Sequence, residues 1–340
     1  MTSSRPSSKA EARAQLLAAK LTALARPHLG ELEPERADFP GGAALLAGDA
    51  AWLLLDTDPV LSLGPALVWA DRHGAADVHL VAERDAGIVA RRAALFAPAP
   101  TVWTVAGTTL QPASPDPVAV AGTAEAAPEL AALLVDADLE VLVEDGIVRG
   151  ELNGLEVARI AHGTSTAGAP LDKPLLEVGV GHADREMTSM LHGNLDPVDQ
   201  LARVIEIVRD IRRIGAEPHP LNQLVPERWL RARLVAEPGR IGCSGLRPVE
   251  AAVPRANLRE RGVAVAVGTT TGDEPVVVAC SVGIDLDLVP AAADARLALD
   301  PGARLLLVVP ERDAHPVTGS LAARLLAPAE LISLQGDWRE

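Results

Sequence analysis

The stretch from Gly150 to Gly215, with the strand-like segments that begin just before it, constrains the fold most, because four β-like segments are followed there by one amphipathic helix. The segments LEVLVED, IVRGELNG and LEVARIAH alternate branched apolar residues with charged ones, and breaks fall at Gly146 and Asn153-Gly154. The fourth segment, LLEVGVG, is more apolar and predicts a more buried strand. We therefore expect an antiparallel group of strands that leads into a helix.

The helix predicted over residues 196–215 has signals at both ends. Asp196 is suited to the N-cap, Pro197 fits the first helical position, and Gly215 can end the helix. Apolar residues recur between them at spacings of three and four, which places them on one stripe: Leu201, Val204, Ile205, Val208 and Ile211.

Alternating strands and helices flank this centre on both sides. AWLLLD, DVHLVAE and TVWTVAG predict strands before it, and PVVVACS, ARLLLVVPE and AELISL predict strands after it, with helical segments between them. The two passages also share the similar runs HLVAERDAGIV and LVVPERDAHPV. They indicate either a duplicated strand-helix-strand-helix-strand module or two ordinary α/β units that have converged.

These observations predict an α/β protein with mixed sheets flanked by helices, divided into five segments. The segments are a disordered start with an N-terminal helix (1–40), an N-terminal α/β module (41–122), a central β-meander plus helix (123–216), a Pro- and Arg-rich connection (217–262) and a C-terminal α/β module (263–340). We expect the connection to wrap over another surface without a core of its own.

Composition limits the classes of function. The net charge of −15 argues against a broad basic surface for nucleic acid. Cys243 and Cys280 are too far apart for a zinc ribbon or a disulfide framework, which predicts buried free thiols. Neither a membrane-spanning run nor a signal peptide is evident, so we expect a cytoplasmic protein. The few lysines and the abundant Ala, Pro and Gly indicate a GC-rich, actinobacterium-like source.

The familiar phosphate and nucleophile motifs are missing from the sequence. It contains no G-x-x-x-x-G-K-[ST] loop, and neither GVGHAD nor GTTTGD has the spacing of a dinucleotide fingerprint. Ser244 lies outside a G-x-S-x-G elbow and has no assignable His and Asp partners. A nucleophilic serine is therefore not expected.

The remaining candidates are carboxylates near the predicted strand ends. Glu151 and Glu177 are each set among apolar residues and glycines, and Glu156 and Asp184 follow nearby. Such oxygen ligands suit Mg²⁺ or Mn²⁺, which can activate water beside a phosphoryl group. The alternative is a structural role, with these carboxylates solvated on a half-exposed sheet and paired with nearby arginines: Arg149, Arg159 and Arg185.

The order of two strands, G-E-L, the strand L-L-E-V-G and an amphipathic helix resembles the core of the PD-(D/E)XK restriction-endonuclease-like superfamily over residues 128–215. The resemblance implies that Glu151 is the first metal-binding acid and Glu177 the glutamate of the E-x-K motif. Gly179 stands where that family has its lysine, so Arg149 or His182 would have to replace the ammonium group. It also implies a restriction-endonuclease-like centre for the fold.

A second resemblance rests on the runs ELNGLEVARI, LEVGVG-x-x-DRE, HPLN-x-L-x-PERWLR and SVGIDLDLVP. Together they resemble a family of actinobacterial proteins. This resemblance implies no particular activity.

Three hypotheses follow. The first is a divalent-metal-dependent nuclease-like or phosphodiesterase enzyme with Glu151, Glu177 and Asp184 as catalytic residues and Glu151, Glu177 and Glu156 as metal ligands. The second is a non-catalytic scaffold or regulatory protein, with a second copy or another protein as partner. The third is a Rossmann-like binder of a small nucleotide, at the loops 56–64 and 283–287.

Overall fold

The computed structural model describes residues 8–118, 122–125, 127–192, 196–213, 215–217, 219–251 and 262–339. Within these ranges the protein has nine α-helices and three β-sheets, so the predicted mixed α/β class is confirmed. Residues 1–7, part of the predicted disordered start, lie outside the described ranges.

The chain divides into two compact units. The first comprises Met1–Pro117, Val289–Asp294 and Pro316–Pro328, and the second comprises Val118–Leu288, Ala295–His315 and Ala329–Glu340. The second unit therefore contains the predicted centre, the predicted connection and most of the C-terminal module.

The first unit is built on a six-stranded sheet in the order β1-β2-β3-β4-β5-β6. The strands are β1 (Glu35–Ala37), β2 (Gly42–Ala47), β3 (Ala50–Leu55), β4 (Asp77–Ala82), β5 (Thr101–Ala106) and β6 (Thr109–Pro112), and the helices are α1 (Ser8–Ala25), α2 (Leu63–Arg72) and α3 (Ala86–Ala93). β3, β4 and β5 are parallel and are joined by α2 and α3, as the alternation in the sequence predicts.

The second unit contains a four-stranded antiparallel sheet in the order β10-β9-β8-β7. Its elements are α4 (Pro128–Asp136), β7 (Glu140–Glu144), β8 (Ile147–Leu152), β9 (Leu155–Ala161), β10 (Leu175–Val178), α5 (Gly181–His192) and α6 (Pro197–Ile211). The four predicted strands and the helix are confirmed. Asp196 caps α6 by accepting a hydrogen bond from the Val198 N–H at 2.8 Å, but the helix ends at Ile211, before Gly215.

The remaining elements are the five strands of the third sheet and three helices. They are α7 (Pro226–Ala236), β11 (Cys243–Val249), β12 (Ala264–Thr270), β13 (Pro275–Cys280), α8 (Leu288–Leu299), β14 (Arg304–Pro310), α9 (Pro316–Ala322) and β15 (Glu330–Leu334). The arrangement of β12 to β15 repeats that of β2 to β5: one antiparallel pair is followed by two parallel pairs with a helix in each crossover. This shared topology is what the predicted duplication requires.

The structure corrects the prediction that the connection over residues 217–262 wraps over a surface. Residues 226–236 form α7, in which seven of the eleven residues are buried. Trp229, Leu230 and Leu234 pack with the core of the five-stranded sheet. Because these residues belong to a core, the segment does not wrap over a surface.

Candidate functional site

The central four-stranded sheet has two chemically different faces, because side chains alternate along each strand. One face is apolar and packs under α4 and α6, with Leu155, Ile160 and Leu176 against Leu201 and Ile205. The opposite face is charged. It carries five glutamates: Glu140, Glu144, Glu151, Glu156 and Glu177.

The strand register places some of these carboxylates directly opposite one another. Glu151 faces Glu140 on β7 and Glu156 on β9, where an irregularity after Gly150 shifts the pairing with β9. Like charges at opposed positions destabilise a sheet. The charged face therefore requires positive groups close to it.

Two arginines of α7 neutralise Glu151. Its side chain has no solvent exposure, and Arg228 donates to one carboxylate oxygen at 2.6 Å while Arg231 donates to the other. Arg228 also donates to Glu144 at 2.5 Å. Burial disfavours the charged form of Glu151, but Arg231 and Arg228 outweigh burial and hold the pKa of this carboxyl below its usual range.

Glu156 is held in the same way by two other arginines. Arg149 donates to one oxygen and Arg185 to the other, both at 2.6 Å, and the Glu156 side chain is 3% exposed. Arg185 lies on α5 and also donates to the carbonyl oxygen of Gly179 at 3.3 Å. Both oxygens of this carboxylate are therefore occupied by guanidinium groups.

Glu177 has partners of its own on the next strand and in the loop after it. Arg159 lies opposite Glu177 and donates to Oε2 at 2.9 Å. Thr166 donates its backbone N–H to Oε1 and its hydroxyl to Oε2. Burial raises the pKa of Glu177, but the Thr166 hydrogen bonds and Arg159 reverse this, so the pKa lies below its ordinary value.

Asp184 has a local structural role at the start of α5. Its Oδ2 accepts a hydrogen bond from the Val180 N–H at 2.7 Å. The carboxylate thereby satisfies a backbone donor in the turn between β10 and α5, where such donors otherwise have no partner.

The structure thus places Glu151, Glu156 and Glu177 on one face of the sheet but gives each its own basic partners. Among the residues that it describes, no group of three His, Cys, Asp or Glu side chains converges in a way that could hold a metal ion. The geometry gives the predicted Mg²⁺ or Mn²⁺ site no support. The carboxylates are also not solvated on a half-exposed sheet, since all three are buried.

Gly179 cannot be replaced by a lysine without a local rearrangement. Its φ is +139°, and a Cβ atom there would lie 2.9 Å from Asp184 Oδ2 and 3.0 Å from the Arg185 nitrogen. The two side chains suggested as replacements lie beside other carboxylates: Arg149 donates to Glu156, and the exposed His182 lies 3.8 Å from Glu186.

Sequence reasoning missed the part that α7 plays in this site. The run PERWLRARL places Arg228 and Arg231 three residues apart, on one side of a helix, with Trp229, Leu230 and Leu234 toward the other sheet. Such a helix, basic on one side and apolar on the other, suits a position between a carboxylate-bearing sheet and an apolar one. This pattern of basic and apolar residues is the signal in the sequence that could have revealed the role of α7.

Comparison with known proteins adds no relative. No protein-family model matches the chain, and no curated protein or solved structure shows significant similarity to it. The resemblance to the nuclease superfamily therefore rests on short motifs alone. In the described parts of the chain, each helix is too short or too polar to cross a lipid bilayer.

Proposed function

We propose that this protein is a non-catalytic scaffold or regulatory protein, and that the central carboxylates are structural. One observation carries the proposal: both oxygens of Glu151, the first predicted metal ligand, accept hydrogen bonds from Arg228 and Arg231 of a buried helix. A metal ion at Glu151 would have to displace two guanidinium groups that are themselves buried.

The charged face of the central sheet and the arginines that contact it form a buried charged layer, and the charges of this layer support the structural role. Four of the five glutamates on the sheet face accept hydrogen bonds from arginines, and Glu140 lies 3.9 Å from Arg231; the arginines are Arg149, Arg159, Arg185, Arg228 and Arg231. Buried charges are tolerated when they are paired and hydrogen-bonded. A layer balanced in this way fixes α7 against the sheet and leaves no excess negative charge for a divalent cation.

The test is a direct search for metal binding and turnover in the purified 340-residue chain. Titration with MnCl₂ by calorimetry, and thermal melts with and without Mg²⁺ or Mn²⁺, should show no saturable binding and no rise in melting temperature. Single-stranded DNA, RNA and bis(p-nitrophenyl) phosphate should remain intact under the same conditions.

The nuclease-like enzyme is the competing hypothesis, and the experiment separates the two. Metal-dependent cleavage that disappears in the Glu177→Ala variant would overturn the proposal. Glu186→Ala is the matched control, because Glu186 is a half-exposed carboxylate on α5 outside the buried layer. Cleavage that persists in both variants would instead indicate a contaminating nuclease, and the proposal would stand.

A further inference from the structure

A cavity of about 530 Å³ lies between α5 and α6 in the second unit. Val180, Val204, Ile207 and Leu221 supply apolar side chains to its wall. This volume is within the range of about 300 to 1,000 Å³ that is typical of small-molecule sites in proteins. The cavity is separate from the charged face of the sheet, because α6 packs on the opposite, apolar face.

Helix α6 has more apolar surface than its contact with the sheet requires. Leu201, Ile205 and Val208 are buried in the central core. Ile207 belongs to a different stripe, lines the cavity and leaves 57% of its surface exposed. An exposed apolar side chain in a concave site gains free energy when a ligand removes it from water.

Arg203 adds a guanidinium group to the wall of this cavity, which also carries the Asp184 carboxylate. It lines the wall one helical turn before Ile207 and forms no hydrogen bond or ion pair with any residue in the described parts of the chain. Asp184 accepts the Val180 N–H through Oδ2 and forms no ion pair with Arg203. In a chain of net charge −15, an arginine without an acidic partner in an apolar cavity is available to an anion.

We propose that the cavity between α5 and α6 binds a small carboxylate with an apolar body, such as a medium-chain alkanoate or an aryl-alkanoate. The apolar part contacts Val204, Ile207 and Leu221, and Arg203 binds the carboxylate group in the two-hydrogen-bond geometry that guanidinium groups favour. A single cation suits one carboxylate better than a nucleotide polyphosphate. This inference goes beyond the proposed function and does not depend on it.

The test is calorimetric titration of the 340-residue chain with decanoate, decanol and decyltrimethylammonium, all below their aggregation concentrations. Decanoate should bind with one site per chain and roughly tenfold or more tighter than decanol, the factor that a charged hydrogen bond contributes. The cationic ligand should bind more weakly still. Equal affinity for decanoate and decanol, or no saturable binding of decanoate, would overturn the proposal.

Three variants locate the site. Arg203→Leu should remove the preference for decanoate over decanol, and Ile207→Trp should fill the cavity and abolish binding of both. Arg209→Leu is the matched control, because Arg209 is an exposed arginine on the same helix that does not line this cavity. Arg203 and Ile207 are exposed, so both variants should fold, which thermal melts will verify. Decanoate binding that is unchanged by Ile207→Trp would place the ligand elsewhere and refute the assignment.

Discussion

Arg228 donates a hydrogen bond of 2.6 Å to Glu151 across 77 residues of sequence, and this contact joins α7 to the central sheet. On its other side α7 packs against the five-stranded sheet through Trp229 and Leu230. The helix therefore has an ionic contact on one side and an apolar contact on the other. Removal of either partner of the ion pair should weaken the attachment of α7 to the central sheet.

The first prediction concerns Glu151. Glu151→Ala leaves Arg228 and Arg231 buried without their main acceptor, so it should lower the free energy of unfolding by about 3 to 5 kcal/mol. Urea denaturation followed by far-UV circular dichroism measures this change. Glu186→Ala removes a carboxylate that is 44% exposed and 3.8 Å from His182, so it should change the free energy of unfolding by less than about 0.5 kcal/mol. Equal effects of the two substitutions would contradict a structural role for Glu151.

The second prediction concerns Glu140, which lies opposite Glu151 and 3.9 Å from Arg231. Burial, together with the Glu151 charge and against the attraction of Arg231, raises its pKa to about 7. A carboxyl whose folded pKa is raised binds its proton more tightly in the folded state. Its contribution to stability is therefore present at low pH and is lost as the pH rises from about 4.5 to about 7.

Glu140→Gln should remove this loss of stability at higher pH, because a glutamine side chain does not ionise. The stability of the variant relative to the wild type should rise by roughly 1 to 3 kcal/mol between pH 5 and pH 8, measured by urea denaturation at each pH. Glu144→Gln is the comparison, because Glu144 is a buried glutamate on the same strand that accepts a hydrogen bond from Arg228 at 2.5 Å. A relative stability of Glu140→Gln that does not change with pH would rule out the raised pKa.

The sequence predicted those parts of the fold that depend on neighbouring residues. The central strands follow from alternation and turn residues, and α6 follows from its apolar stripe and the cap at Asp196. The end of α6 at Ile211 did not follow from the sequence, which predicted an end at Gly215. At this end Arg212 exchanges two hydrogen bonds with Asn153, a residue far away in the sequence, at 2.6 and 2.9 Å.

Contacts between residues that are distant in the sequence also limit how much of the site could be predicted. The sequence indicated the carboxylates Glu151, Glu156 and Glu177, with Arg149, Arg159 and Arg185 as their alternative partners. In the structure these three arginines donate to Glu156 and Glu177, whereas Glu151 is bound by two arginines of α7 that were not predicted. The sequence could not show that α7 covers Glu151, because that contact joins segments that are adjacent only in the folded chain. The helix α5 was also missed, since GHADREMTSMLHG begins at a glycine and has few apolar residues.

The third prediction concerns Gly179, where the nuclease comparison places a lysine. Gly179→Lys should not create a nuclease. A lysine there has to adopt φ near +139°, with its Cβ within 3.0 Å of Asp184 and Arg185. We expect a loss of more than about 2 kcal/mol in the free energy of unfolding.

Gly163→Lys is the control. Gly163 has a positive φ of +67° and no atom lies within 4 Å of the new Cβ, so this variant should lose about 1 kcal/mol in the free energy of unfolding. Metal-dependent DNA cleavage by the Gly179→Lys variant would contradict this prediction and revive the nuclease hypothesis.

The fourth prediction concerns His79 in the first unit, which stacks on Trp52 with ring centroids 4.0 Å apart and accepts a hydrogen bond from Trp103 Nε1 at 3.2 Å. Burial lowers the pKa of His79 from its ordinary 6.5, although Asp77 opposes this and His28 adds to it. Protonation would place a proton on the nitrogen that now accepts from Trp103. Because the folded pKa is depressed, the contribution of His79 to stability is present above pH 6.5 and is lost as the pH falls through the folded value.

His79→Phe should make unfolding less sensitive to acid than in the wild type between pH 6.5 and pH 5, because the unfolded state of the variant has one fewer group to protonate. Urea denaturation followed by tryptophan fluorescence measures this difference, and the His79 ring signal in NMR gives its pKa directly. His73→Phe is the control, because His73 also stacks on a tryptophan, Trp69, at 3.8 Å, but its Nδ1 lies 2.8 Å from a backbone carbonyl oxygen. A His79 pKa at or above 6.5 would contradict the prediction, because the Trp103 hydrogen bond would then have to be broken in the folded protein near neutral pH.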